Sequence, residues 1–221
     1  MYGHARCHRI DATRIDSLLR CAVFALAAFA ANAQVFAQTT MHIRGDIVQM
    51  DFISVNARPL LVKLRDGGEL SIQLAYNYET VEVGPVEHER LVPGTCVGVA
   101  AEPAADGTLR AIEVLVFSND MKGSGESHRP WDLTPRSTMT NATIGMIDAS
   151  ADARTLTLRY AGGEQTVVVP NDVPVVAMLR SGGHTFLAPG THVFITATRQ
   201  RDGAITAGRI YYGAGGYTPP M

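Results

Sequence analysis

The chain is short of cysteine, tryptophan, long apolar runs and helical periodicity, and each shortage excludes something. Three cysteines occur in 221 residues, and two of them, Cys7 and Cys21, fall before residue 38, leaving Cys96 alone. A single thiol makes no internal disulfide, and without a Cys-x-x-Cys pair or a tight two-His spacing no closed zinc site is expected. No stretch reaches the roughly 18 uninterrupted apolar residues of a membrane-crossing helix. Positive charge is also lacking. The whole chain carries −2, and residues 1–37 hold Arg6, Arg9, Arg14 and Arg20 against Asp11 and Asp16. Removing them leaves 19−4=15 basic and 21−2=19 acidic residues, about −4, the wrong sign for a nucleic-acid binder.

What is present begins with a targeting segment. The four arginines lead into the apolar run Cys21–Ala31, followed by two small-residue cleavage sites, Ala31-Asn32-Ala33 and Val35-Phe36-Ala37. This is the layout of a signal peptide over 1–37, with Ala37 preferred over Ala33 because it leaves Gln38 just before the first strand. Cys21 follows Arg20 and opens the apolar run instead of coming after it, so it is not a lipid-anchor site. The mature protein is expected to be periplasmic or secreted and not membrane-spanning.

After residue 37 the chain repeats itself. Leu91-Val92-Pro93-Gly94-Thr95 returns as Leu187-Ala188-Pro189-Gly190-Thr191, and Asp106-Gly107 as Asp202-Gly203, both at an offset of 96. Asp66-Gly67-Gly68-Glu69 matches Ala161-Gly162-Gly163-Glu164 at offset 95, and Gly45 is matched to Gly145 at offset 100. Each copy reads as strands bounded by Gly, Pro, Asn or Asp. In the first they are His42–Gln49, Pro59–Arg65, Glu69–Tyr76, Thr95–Ala101 and Thr108–Phe117, with alternation clearest at Leu61-Val62-Lys63-Leu64-Arg65. Three strands, a longer connection ending in Pro-Gly-Thr and two more strands fit a five-stranded OB-like barrel; small β-sandwich or SH3-like units are the alternative. The expected architecture is all-β. Two tandem OB-like barrels, 42–118 and 139–213, are joined by an ordered irregular connector, 119–138, and followed by a tail, 214–221. Each copy is roughly 75 residues, small for an unstapled core, so the copies are expected to lean on each other.

The connector holds the only Trp of the chain, beside Glu126, His128, Arg129 and Asp132. Merely flexible linkers are poor in such residues. The run Gly125-Glu126 … His128-Arg129-Pro130-Trp131-Asp132-Leu133 … Ser137-Thr138-Met139-Thr140-Asn141 resembles a family of exported bacterial proteins with tandem OB-like domains, some labelled metal ABC transporter permeases. Ser127 stands where the family has Gly. The resemblance implies export and fold; a permease needs several membrane spans, which this chain lacks.

Catalytic patterns are missing. There is no Gly-x-Ser-x-Gly elbow and no His-Glu-x-x-His, and Gly123-Ser124-Gly125 lacks the Lys and helix of a phosphate loop. Ser127 and His128 are chain neighbours, whose side chains point apart on extended backbone. Cys96, beside Val97 and Val99, reads as a packing residue. No enzyme activity and no cofactor are expected. The function expected is a non-enzymatic binding or interaction protein for a cell-envelope partner or small ligand, with Glu126, His128, Arg129, Trp131 and Asp132 as a binding site or structural clasp. The alternative is a metal-binding accessory protein using His128 with Glu126, Asp120 and Asp132. His184 and His192 lie across a Pro-Gly turn, and His192, at the repeat position of Cys96, is expected on the other barrel.

Overall fold

The computed structural model describes residues 38–54, 57–123, 125–181, 183 and 185–219; the expected signal peptide, Ser124 and His184 lie outside them. Among the described residues the chain is all-β, with no helix longer than a three-residue 3-10 turn.

The first closed five-stranded barrel starts as a meander of β1 (Thr39–Met50), β2 (Pro59–Leu64) and β3 (Glu69–Pro85). Two strands from the far end of the chain complete it. β11 (His192–Arg199) pairs with β1, β12 (Ile205–Gly213) pairs with β11, and β12 closes parallel onto β3. Alternate residues turn inward and fill the barrel, among them Ile43, Ile47, Leu60, Val62, Ile72, Ile195 and Ile210. A second ring follows the same order. Its meander is β7 (Thr138–Ala149), β8 (Ala153–Tyr160) and β9 (Gly163–Pro170), and β4 (Cys96–Pro103) and β5 (Leu109–Val116) close it. Val97, Val99, Val114, Ile144, Leu156, Leu158 and Val167 form its core.

The two rings therefore do not coincide with 42–118 and 139–213. Each takes three strands from one copy of the repeat and two from the other. The registers match across the exchange. Thr206 faces Gln73 in the first ring and Arg110 faces Val168 in the second; 206 and 110 differ by 96, and 168 and 73 by 95. The Pro-Gly-Thr turns repeat the pattern: Gly94 N–H donates to the Ile144 carbonyl and Gly190 N–H to the Ile47 carbonyl, each at 2.7 Å. Both glycines need positive φ, +88° and +85°. A repeat specifies strands and registers, and those are satisfied equally whether the last two strands come from the same copy or the other one; only the path of the crossing segments decides.

Three local expectations change. The match of Gly45 to Gly145 is out of register. The β-bulges at Ile47/Gln49 and Ile144/Met146 align at offset 97, which makes Ala142 the counterpart of Gly45. β3 runs nine residues past Tyr76, to Pro85, where a loop was expected. Its counterpart in the second copy is broken after Pro170, and the chain resumes as β10 (Val175–Ser181). β10 pairs antiparallel with β3 and parallel with β5, sewing both rings into one sheet. The connector, finally, is not wholly irregular: Ser127–Pro130 forms β6, an edge strand on β7.

Candidate functional site

Between the rings lies a third apolar cluster, built on Val81 and Val83 of β3, Leu115 of β5, Val176 and Met178 of β10, and Phe194 of β11, with Trp131 packed against it. The connector reaches this seam because its turn is closed internally. Trp131 N–H donates to the Ser137 carbonyl at 2.8 Å, and the Ser137 hydroxyl, buried, lies 3.0 Å from the Trp131 and Thr134 carbonyls. The Trp131 ring sits 4.1 Å from the His42 ring and 6.2 Å from Phe194, with the Arg129 guanidinium 5.1 Å over its face.

Alternation along β1 sends Ile43 into the barrel and presents His42 and Arg44 to the connector. Both meet Asp132: Arg44 Nη2 at 2.9 Å from one carboxylate oxygen and His42 Nδ1 at 3.0 Å from the other. Burial alone would raise the Asp132 pKa, but the Arg44 hydrogen bond and charge, with His42, hold it below the usual carboxylate range. His42 is lowered, chiefly by burial, which outweighs Asp132. Burial thus favours the neutral imidazole, with Nδ1 against the Asp132 carboxylate.

Of the residues singled out from the sequence, Arg129, Trp131 and Asp132 converge on this seam. His128 turns away, its Nδ1 2.8 Å from the Thr140 hydroxyl and its ring stacked 6.3 Å from Tyr160. Ser127 accepts from Arg129 at 2.8 Å, so no Ser–His couple forms. Glu126 is half-buried just ahead of β6. The metal constellation does not assemble. Asp132 is committed to Arg44 and His42, and among the described residues no three His, Cys, Asp or Glu side chains are grouped to hold an ion. Cys96 and His192 lie on different rings, as expected, at equivalent cross-strand positions: Cys96 meets the Thr143 hydroxyl, and His192 pairs with Asp46.

Sequence reasoning missed Glu113. It lies on β5 with its side chain in the seam, 1% exposed, and neither carboxylate oxygen has a protein partner. Burial pushes its carboxyl up to about 8 against the pull of Arg44 and Arg65. The repeat explains its isolation. Its counterpart Arg209 pairs with Glu79 across β12 and β3, but the position equivalent to Glu79 in the second copy is Pro174. A lone acid in the apolar run Ile112-Glu113-Val114-Leu115-Val116 was the available signal. A crevice of about 100 Å³ borders Glu113, lined also by Trp131, Phe194, Tyr211, Phe117 and Arg129.

A second surface lies on the first barrel. Phe52 and Ile53, in the β1–β2 connection, are 50% and 72% exposed, and Phe186, ahead of β11, is 59% exposed. The Phe52 and Phe186 rings lie 6.2 Å apart, while Tyr76, on the same barrel, carries Arg58 5.0 Å from its ring centroid. The corresponding hairpin of the second ring ends in the polar turn Ser150-Ala151-Asp152. Comparison with protein-family models, with curated proteins and with solved structures finds no match for the chain.

Proposed function

We propose that this is a non-enzymatic exported binding protein of two OB-like barrels, in which the first barrel docks a cell-envelope partner through Phe52, Ile53 and Phe186. The observation that carries this reading is the solvent exposure of those three large apolar side chains together on one barrel. Clustered exposed apolar residues mark interaction surfaces more often than scattered single ones do. In chain order the first ring reads 1-2-3-5-4 returning to 1, the strand order of an OB-like barrel, whose first hairpin loop borders the usual ligand face; the second ring has the same neighbours with its two closing strands drawn from earlier in the chain. That loop is where Phe52 and Ile53 lie. Fold alone assigns no ligand, so the reading rests on the patch. Export rests on the signal-peptide pattern and on the family resemblance, and the net acidity of residues 38–221 argues against nucleic acid as the partner.

Site-specific photo-cross-linking in intact cells tests the docking face. A cross-linker at Ile53 is expected to capture one discrete envelope partner, while one at Asp152, on the equivalent hairpin, captures none. Equal capture at both positions, or none at Ile53, rejects the docking face.

A further inference from the structure

The crevice between the rings combines features that the docking surface does not use. Glu113 borders it with both carboxyl oxygens buried and without a protein partner, and Trp131, which also borders it, has its indole Nε1–H buried without one. Buried polar groups are almost always satisfied, so two orphans of opposite hydrogen-bonding sense on one cavity mark a place built for something polar. Most of the remaining lining is aromatic or apolar, Trp131, Phe194, Phe117, Tyr211, Leu115 and Met139, with Asn141 and Thr196 as its uncharged polar members. A carboxylate among aromatic rings favours a cation with an apolar body. Arg44 acts on Glu113 as a nearby charge but gives its ion pair to Asp132 and makes no hydrogen bond to Glu113. Arg129, exposed, also borders the crevice, over the Trp131 ring and bonded to Ser127.

The geometry points to this crevice as a binding site for a small amino alcohol. Its ammonium group would donate to Glu113, and its hydroxyl oxygen would accept from Trp131 Nε1–H. Size agrees: about 100 Å³ is smaller than the roughly 150 Å³ cavity that admits benzene, so a ligand of about four heavy atoms fits. Because burial keeps Glu113 protonated in the free protein, taking up the ammonium ion ionises it, and the displaced proton leaves to solvent.

Trp131 is the only tryptophan, so its fluorescence reports directly on the site. Ethanolamine, titrated into the full mature chain, is expected to give a saturable change that requires about tenfold more ligand at pH 6 than at pH 7. Propan-1-ol, which has the same heavy-atom count and no charge, is expected to give none. Glu113→Gln, checked for folding by its melting transition, should weaken ethanolamine at least tenfold and abolish the pH dependence. Arg129→Ala, at an exposed position, removes a like charge bordering the crevice and should tighten binding several-fold. No saturable change in wild type means that the crevice holds water only, and equal responses to ethanolamine and propan-1-ol mean that the ammonium is not recognised; either overturns the assignment. So does ethanolamine binding left intact by Glu113→Gln, or left unchanged or weakened by Arg129→Ala. Loss of envelope cross-linking at Ile53 would not affect these outcomes, which separates this site from the docking face.

Discussion

Replacing Glu113 by Gln should make the protein more stable in alkali and leave it nearly unchanged in acid. The carboxyl is pushed from 4.5 to about 8 by burial, with Arg44 and Arg65 pulling the other way. A raised carboxyl pKa means that the native state binds the proton more tightly than the unfolded chain does. Between about pH 4.5 and 8 the native state therefore carries the extra proton, and stability falls as pH rises through that window. Each unit of difference corresponds to about 1.36 kcal/mol. A shift of this size amounts to a loss of about 3–5 kcal/mol in going from pH 5 to pH 9. Gln is close in volume, keeps polar atoms in the same place and does not ionise. Urea unfolding of wild type and Glu113→Gln at pH 5, 7 and 9 isolates the effect, because other titrating groups largely cancel in the difference between the two proteins. The variant should match wild type within about 1 kcal/mol at pH 5 and exceed it by several kcal/mol at pH 9. A difference that stays flat across that range would mean that Glu113 is solvated or paired in solution, and the buried-acid account would be wrong.

Two other outcomes follow from the exchange of strands and from the seam. A protease site introduced after Lys122 and cut in the folded protein should leave the two pieces co-eluting on size exclusion under native conditions and separating only in denaturant; separation without denaturant would show that each repeat closes its own barrel. Trp131→Ala should cost about 2–3 kcal/mol in urea unfolding, below the usual cost of a fully buried aromatic because the ring is only half-buried. A loss under about 0.5 kcal/mol would show that the connector is not held by this ring.

The strands were legible because their signals are local. Alternation in Leu61-Val62-Lys63-Leu64 and the Gly-Gly and Asp-Gly turns specify pleat and hairpin without reference to anything distant. The duplication was legible for the same reason. Which copy supplies the partner strands is a non-local matter, and nothing in Leu91–Thr95 or Leu187–Thr191 differs in a way that reveals it. The continuation of β3 to Pro85 was hidden by Asn77-Tyr78-Glu79-Thr80, which breaks the clean alternation where β2 gives way to β10 as partner and the pairing with β12 shifts register. At the seam, Trp131 and Asp132 stood out by residue type. Their partners His42 and Arg44 did not, since polar residues on one face of a barrel strand are what solvent exposure would also produce.

The exchange reverses the meaning of the two kinds of connection. The segment 119–138 was expected to link two barrels, yet β5 before it and β7 after it belong to the same ring. The passages between rings are instead the segment from Val86 to Thr95, which leads from β3 into β4, and the one after β10 that leads into β11. Both carry a Pro-Gly-Thr turn, and each turn is fixed by hydrogen bonds to the first strand of the three-stranded meander of the ring it enters, β7 or β1. The connector is left free of any spanning duty, and its residues are spent on reach: Asp132 extends from a second-ring loop to His42 and Arg44 on the first barrel. A loop with that contact ties two rings that already share chain crossings and β10. Its aromatic and charged composition is then explained by the seam it lines, where Trp131 and Glu113 meet, and not by any need to hold two separate domains together.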